Sequence, residues 1–265
     1  YTIVIDNNSK DKTRQILDTL KVDELICLND NIGFGKANNI GIRQALKTNC
    51  EAFFLANQDI YFTNGSVEEF LRNSVKAFAE NNFGVISPIH FGPNEIDLDF
   101  KFLEYISEHN APQLLINFQK KTNLDKIYKV KAVNAAAWLM SRKCIEEVGV
   151  FDPIFPHYGE DTDYIKRMRY HNYKIGVAPN LCMVHNRNQQ ASDSKDKLYY
   201  RLKICALSYN KDINKSICFI VTRFPFELNF RIKKLSVKHL ELIIIFVKIM
   251  VFVVSKYIRI QRHRF

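Results

Sequence analysis

"YTIVIDNNSKDKT" (residues 1–13) joins a β-branched apolar run to a polar cluster, Asp6-Asn7-Asn8-Ser9. Thr2 to Ile5 suits a buried strand, and the segment after the cluster suits a helix from Lys12 to Leu20. The same unit then recurs along the chain. Leu25 to Leu28 reads as a second strand, with a helix from about Lys36 to Thr48, and Ala52 to Ala56 as a third strand. "SVEE" (66–69) is a capping box, in which Ser66 can bond the N–H of Glu69 while the Glu69 side chain reaches back; the helix it opens should run to about Asn81. Val85 to Ile89 is the next strand. Phe91 to Tyr128 breaks the rhythm and is expected to be an insertion with some helix, after which Val130 to Leu139 reads as strand and Arg142 to Val148 as helix. A further helix ends near Tyr170, and two short strands follow at Ile175–Val177 and Cys182–His185. Strand–helix alternation predicts an α/β fold: a doubly wound, mostly parallel sheet flanked by helices.

A chain of 265 residues, 47% hydrophobic and 25% charged, has room for one sizeable α/β domain, alone or with an appendage. Its six cysteines form no C-x-x-C pair, which argues against a zinc knuckle or a disulfide framework and fits a reducing compartment. The start on "YTIVID" shows no charged leader or cleavage site, and the absence of Met at position 1 points to a fragment. The net charge of +10 is unevenly placed. Residues 1–194 carry 22 Lys and Arg against 24 Asp and Glu; residues 195–265 carry 16 against 4. A near-neutral body with a basic tail points away from nucleic acid and toward an anionic membrane surface for the tail.

Open α/β sheets bind ligands at the carboxyl ends of their strands. In this chain those positions hold Asp6 to Ser9, "NDNIGFGKANNIG" (29–41), "NQD" (57–59) and His185-Asn186. Each cluster alone could be turn formers, helix caps or a structural histidine. Gly33, Gly35 and Gly41 make no G-x-G-x-x-G fingerprint and no Walker lysine motif is present, so dinucleotide and P-loop sites are disfavoured. "HYGEDTDYIKR" (157–167) adds Glu160, Asp161 and Asp163 at a helix start. Acids there can face the positive end of the helix dipole and cap free N–H groups, or they can supply a general base beside a metal site.

The motifs "IVIDNNSKDKT", "NIGFGKANNIGI", "FFLANQDI" and "VGVFDPIFPHYGEDTDYIKRMRYHNYKIGVAP", in that order, resemble family 2 glycosyltransferases, the inverting enzymes of GT-A fold, and especially their rhamnosyltransferase-like branch. The resemblance runs from Tyr1 to about Asn186 and implies a GT-A domain over 1–194 that lacks its first strand in this chain. It implies that Asp6 and Asn7 meet the nucleobase and ribose of a UDP- or dTDP-sugar, and that Asn31, Gly33 and Asn38 line the donor site. Asp59 would close a D-x-D-like motif whose first acid is replaced by Asn57, and would hold Mn²⁺ or Mg²⁺ together with His185. Asp161 would be the general base, with Trp138, Glu160 and Asp163 as candidates for binding the acceptor; for Asp163, helix capping is the leading alternative. A single displacement by a hydroxyl of a saccharide or lipid-linked acceptor, in surface polysaccharide biosynthesis, is the implied reaction. The alternative is a truncated, non-catalytic relative that binds carbohydrate or a membrane surface.

The tail, 195–265, is expected to be helical and basic. "LIIIFVKIMVFVV" (242–254) is shorter than the roughly 20 apolar residues that span a bilayer. Between basic flanks it suits shallow insertion into the inner face of the cell membrane, which would make the protein cytoplasmic and peripheral. The competing readings are a helix packed on the body and a homo-oligomer contact.

Overall fold

The computed structural model describes residues 1–106, 111–186, 195–233, 244 and 247–254. The α/β class holds. Strand β1 (Ile3–Asp6), helix α1 (Thr13–Leu17), strand β2 (Glu24–Cys27) and helix α2 (Phe34–Ala45) form the opening units. β1 and β2 pair in parallel with Asp6 opposite Cys27, so both polar loops leave the same edge. Strands β3 (Ala52–Ala56), β4 (Ile60–Gly65), β5 (Phe83–Phe91), β6 (Tyr128–Val130), β7 (Ala137–Ser141) and β8 (Lys174–His185) make a second, six-stranded sheet. Its order is β3-β7-β5-β8-β4, with β6 beside β8. The sheet is mixed: β5 and β8 run parallel, while β7 enters antiparallel between β3 and β5. β7 does so because it follows the excursion after β5, which carries α4 (Phe100–Ile106) and α5 (Pro112–Gln119), and returns from the opposite direction. β1 pairs only with β2, and β3 only with β7, among the described residues.

Three expectations are corrected. Val130 to Leu139 is not one strand: β6 ends at Val130, residues 131–136 leave the ladder, and β7 begins at Ala137. The two short strands around Pro179 are one strand, β8, because a register irregularity between Ser87 and Ile89 of β5 accommodates the residue that has no N–H to donate. β4 reads as a loop in sequence, since turn formers flank it on both sides. It is an edge strand, paired to β8 alone, with Gly65 at φ 98° where any Cβ would meet the Asn180 carbonyl.

The helices follow their local signals. Ser66 accepts from the Glu69 N–H at 3.2 Å and opens α3 (Val67–Asn81), which Asn82 closes in the left-handed conformation. Ser141 caps α6 (Arg142–Val148) in the same way, accepting from the Cys144 N–H at 3.0 Å. α7 (Glu160–Tyr170) starts at Gly159, φ 87°, with no side-chain cap. The N-cap position itself therefore supplies no capping side chain, and of the acids in the first turn Asp161 bonds a first-turn N–H, that of Thr162. The main core lies between the sheet, α6 and α7, around Val85, Trp138, Met140, Phe151 and Tyr164.

Residues of the tail form α8 (Lys195–Asn210) and α9 (Ile217–Lys233), and 247–254 are helical. α8 rests on the body through Ile204 and Leu207 against Phe155. Beyond its end, Lys211 is buried between Asp163 (2.7 Å) and Asp152 (3.1 Å). Among the described residues no helix is long and apolar enough to cross a membrane.

Candidate active site

The loop after β1 is built around Asp6. One carboxylate oxygen accepts from the Ser9 N–H at 3.0 Å, the other from Arg14 Nε at 2.6 Å, and Arg14 also donates to the Leu28 carbonyl. The Ser9 and Arg14 bonds hold the Asp6 carboxyl below its ordinary value against the opposing effect of burial. Asp6 thus fixes the loop from inside. Asn7 reaches across to the second loop, donating to Asn31 Oδ1 at 3.1 Å and accepting from the Ile32 N–H at 2.9 Å; Asn31 in turn accepts from the Gly33 N–H. Asn38 bonds back to the Phe34 carbonyl within α2.

Gly33, at φ 88°, brings this loop onto the segment ahead of α7, where an added Cβ would fall 1.9 Å from the Pro156 carbonyl oxygen. Deeper in, Asn39 makes a two-way bond with the Phe151 backbone, donating to its carbonyl (2.7 Å) and accepting from its N–H (2.9 Å). The loops after β1 and β2 and the acidic helix are therefore locked together.

Asp59 and His185 meet at the far ends of β3 and β8, with Asp59 Oδ2 3.3 Å from His185 Nε2. The pairing of Ile60 with His185 and the bond from the Asn186 N–H to the Asp59 carbonyl (2.8 Å) set that approach. Asn57 donates its N–H to the Ala136 carbonyl at 2.9 Å. One residue earlier, the Ala135 N–H faces the Asp161 carboxylate. The short segment 135–136, free of the ladder and with side chains small enough to be buried there, links the β3–β4 turn to the first turn of α7.

Three acids of that turn have three environments. Asp161 is half-buried and its Oδ1 accepts from the Thr162 N–H and hydroxyl; burial nevertheless raises its pKa. Glu160 is buried beside Gly35, its Oε2 has no hydrogen-bond partner, and burial, with the charge of Asp161 adding, pushes it up to about 7. Asp163 is buried but paired, with Arg167 Nε at 2.9 Å and Lys211 Nζ at 2.7 Å. Trp138 has no exposed surface. It packs between Phe151 and Tyr164 with ring centroids 6.1 and 6.0 Å away, so its place is in the core rather than beside a bound sugar.

Arg14, Asn39 and Lys211 were outside the expected set. Asn39 had a local signal, a polar residue on the buried face of a helix; Lys211 had none, because its partners lie 48 and 59 residues earlier in the chain. Among the described residues no three or more His, Cys, Asp or Glu side chains gather as a metal site, so Asp59 and His185 stand as a two-donor set. A carboxylate oxygen with an imidazole nitrogen suits Mn²⁺ better than Mg²⁺, a harder cation that takes oxygen ligands, when substrate oxygens and water complete the shell.

Residues 2–149 match the model of glycosyl transferase family 2. The chain is 25% identical over 194 residues to a dTDP-rhamnosyl transferase of Shigella flexneri, covering 70% of this chain and 59% of that protein. It is 23% identical over 218 residues to a low-salt glycan biosynthesis hexosyltransferase of Haloferax volcanii, covering 81% and 69%. The chain thus spans about three fifths to two thirds of the length of these relatives. Among solved structures, TarS of S. aureus is similar with a TM-score of 0.52 and 17% identity, covering 90% of this chain and 40% of that one. A GalNAc transferase crystallised with UDP, GalNAc and Mn²⁺ gives a TM-score of 0.51 and 12% identity, covering 79% and 43%. These neighbours share the GT-A fold. The matched segment holds the loops after β1 and β2, the β3–β4 turn and the 135–136 link, and the chain belongs to glycosyl transferase family 2.

Proposed function

We propose that this glycosyltransferase is an inverting enzyme that moves a hexose from a UDP- or dTDP-sugar to a hydroxyl of a saccharide or lipid-linked acceptor, in surface polysaccharide biosynthesis at the cytoplasmic face of the cell membrane. The observation that carries the reading is the segment 135–136, which touches both Asp161 and the turn that holds Asn57 and Asp59. It puts a carboxylate of raised proton affinity beside the place where a diphosphate would be held.

Asp161 takes the proton of the acceptor hydroxyl as that oxygen attacks the anomeric carbon. A base must bind its proton in a partly dry site, and burial provides the needed rise in pKa. Asn7, Asn31 and the backbone around Gly33 bind the nucleoside, and Asn38 stands one turn into α2 behind them. Asp59 and His185 would hold a divalent cation, which when bound supplies Lewis-acid neutralisation of the leaving diphosphate. One displacement inverts the anomeric centre. Asp163, engaged by Arg167 and Lys211, holds the helix rather than the acceptor.

The test is a thermal-shift panel of UDP-, dTDP- and GDP-sugars with and without Mn²⁺, followed by nucleoside diphosphate release with acceptor saccharides. A ligand that binds only the folded chain raises its melting temperature. One nucleotide class should respond, more strongly with Mn²⁺, and should turn over. Sugar binding without any release would support the non-catalytic alternative instead.

A further inference from the structure

Among the described residues of the C-terminal helices, apolar side chains point in two directions, and the buried ones gather on one of them. Within 247–254, Ile249 and Val253 are buried against Leu202, Ala206, Phe224 and Leu228 of α8 and α9. Val247, Val251 and Val254 lie on the opposite side of the same turns, in line with Ile244, and are 46% to 69% exposed as a set. At about 100° per residue these four fall within a single face, with Lys248 among them. A helix that is apolar all round is ordinarily buried all round.

α9 repeats the arrangement. Its inner side, Ile220, Phe224 and Leu228, is buried; Phe219 and Phe226, two turns apart on the outer side, are exposed, with Arg223 exposed between them. Aromatic and branched apolar side chains interleaved with Lys and Arg suit the headgroup boundary of a bilayer, where the rings enter and the cations meet phosphate. The charge of the segment fits such a partner, with 16 Lys and Arg against 4 Asp and Glu from residue 195 onward.

We propose that the outer faces of α9 and of residues 244 and 247–254 form a docking surface for an anionic membrane, with Phe219, Phe226, Val247, Val251 and Val254 entering the interface and Arg223 and Lys248 meeting lipid phosphate. This deepens the peripheral location proposed above. α8, and Lys211 just beyond its end, join this surface to Phe155 and to Asp163 of the acidic helix, so docking fixes α7 relative to the membrane, where a lipid-linked hydroxyl is presented.

The experiment is co-sedimentation of the chain with vesicles of equal parts phosphatidylglycerol and phosphatidylcholine, and with phosphatidylcholine alone, at low and high salt. The chain should sediment with the anionic vesicles only, and less at high salt. The triple variant Val247→Ser, Val251→Ser, Val254→Ser should reduce binding by about tenfold or more, from lost apolar contact. Phe219→Ser with Phe226→Ser should act in the same direction. These side chains are exposed, so the variants should keep the wild-type melting temperature, and nucleoside diphosphate release with a soluble acceptor separates failed docking from a failed enzyme assignment. Absence of sedimentation at low salt would overturn the proposal, as would binding unchanged by both variants. A dimer in solution that the triple variant dissociates would also overturn it, and would assign the face to a second copy of this chain.

Discussion

The loops after β1 and β2 and the acidic helix lie against each other with different means of support. Around β1 and β2 the side chains are mostly half-buried, and order comes from short polar bonds: Asp6 with Ser9 and Arg14, Asn7 with Asn31. Around α7 order comes from burial, with Tyr164, Ile165 and Met168 in the core and Asp163 held between Arg167 and Lys211 out of water. A nucleotide can be admitted by loops whose bonds exchange readily with water. A carboxylate that must keep a raised pKa needs a rigid, desolvated frame.

The sharpest way to break this contrast is Asp161→Asn. Turnover should fall by roughly 10² to 10⁴, the range for a lost general base, with donor-induced thermal shift retained. Wild-type turnover in a verified Asp161→Asn protein would remove Asp161 from the mechanism. Next comes Lys211→Met, which leaves Asp163 buried with one partner fewer. Breaking a buried ion pair from one side costs about 3 to 5 kcal/mol, so denaturant unfolding should show a loss on that scale. A loss under about 1 kcal/mol would mean that the pair behaves as a surface bridge.

Glu160 gives a pH test. Its folded pKa of about 7 lies above the ordinary 4.5, so the folded chain holds this proton more tightly than the unfolded one. Its contribution to stability is complete below pH 4.5 and is lost as pH rises through about 7. On the order of 3 kcal/mol is at stake, from the size of that shift. Glu160→Gln should flatten stability against pH across that window and raise the melting temperature above it; an unchanged slope would place the charge in water. The smallest effect is expected from Arg14→Gln. Arg14 is substantially exposed, so its bridge to Asp6 should contribute no more than about 1 kcal/mol, weakening with salt. A large loss there would erase the distinction between the two regions.

The sequence by itself determined the α/β class, because β-branched runs ending in Asn and Asp and a capping box at Ser66 are local signals with local causes. It also put the polar clusters of Asn7, Asn31, Asp59 and His185 at strand ends, since strands of an open α/β sheet deliver their carboxyl ends to one edge, while the contact of Asp59 with His185 needed the β4–β8 pairing. Tertiary structure alone decided the rest. The antiparallel entry of β7 depends on the path of the excursion before it, and the strand at 60–65 on the pairing that β8 offers. Trp138 became a core residue because Phe151 and Tyr164 close over it, although its neighbourhood in sequence resembles an acceptor site. Glu160, Asp161 and Asp163 differ in sequence by almost nothing, yet one has a buried carboxylate oxygen without a partner, one faces the segment 135–136 and one is paired with a lysine 48 residues away. Dielectric surroundings and long-range partners set the chemistry of a carboxylate, and neither is a property of the residue's neighbours along the chain.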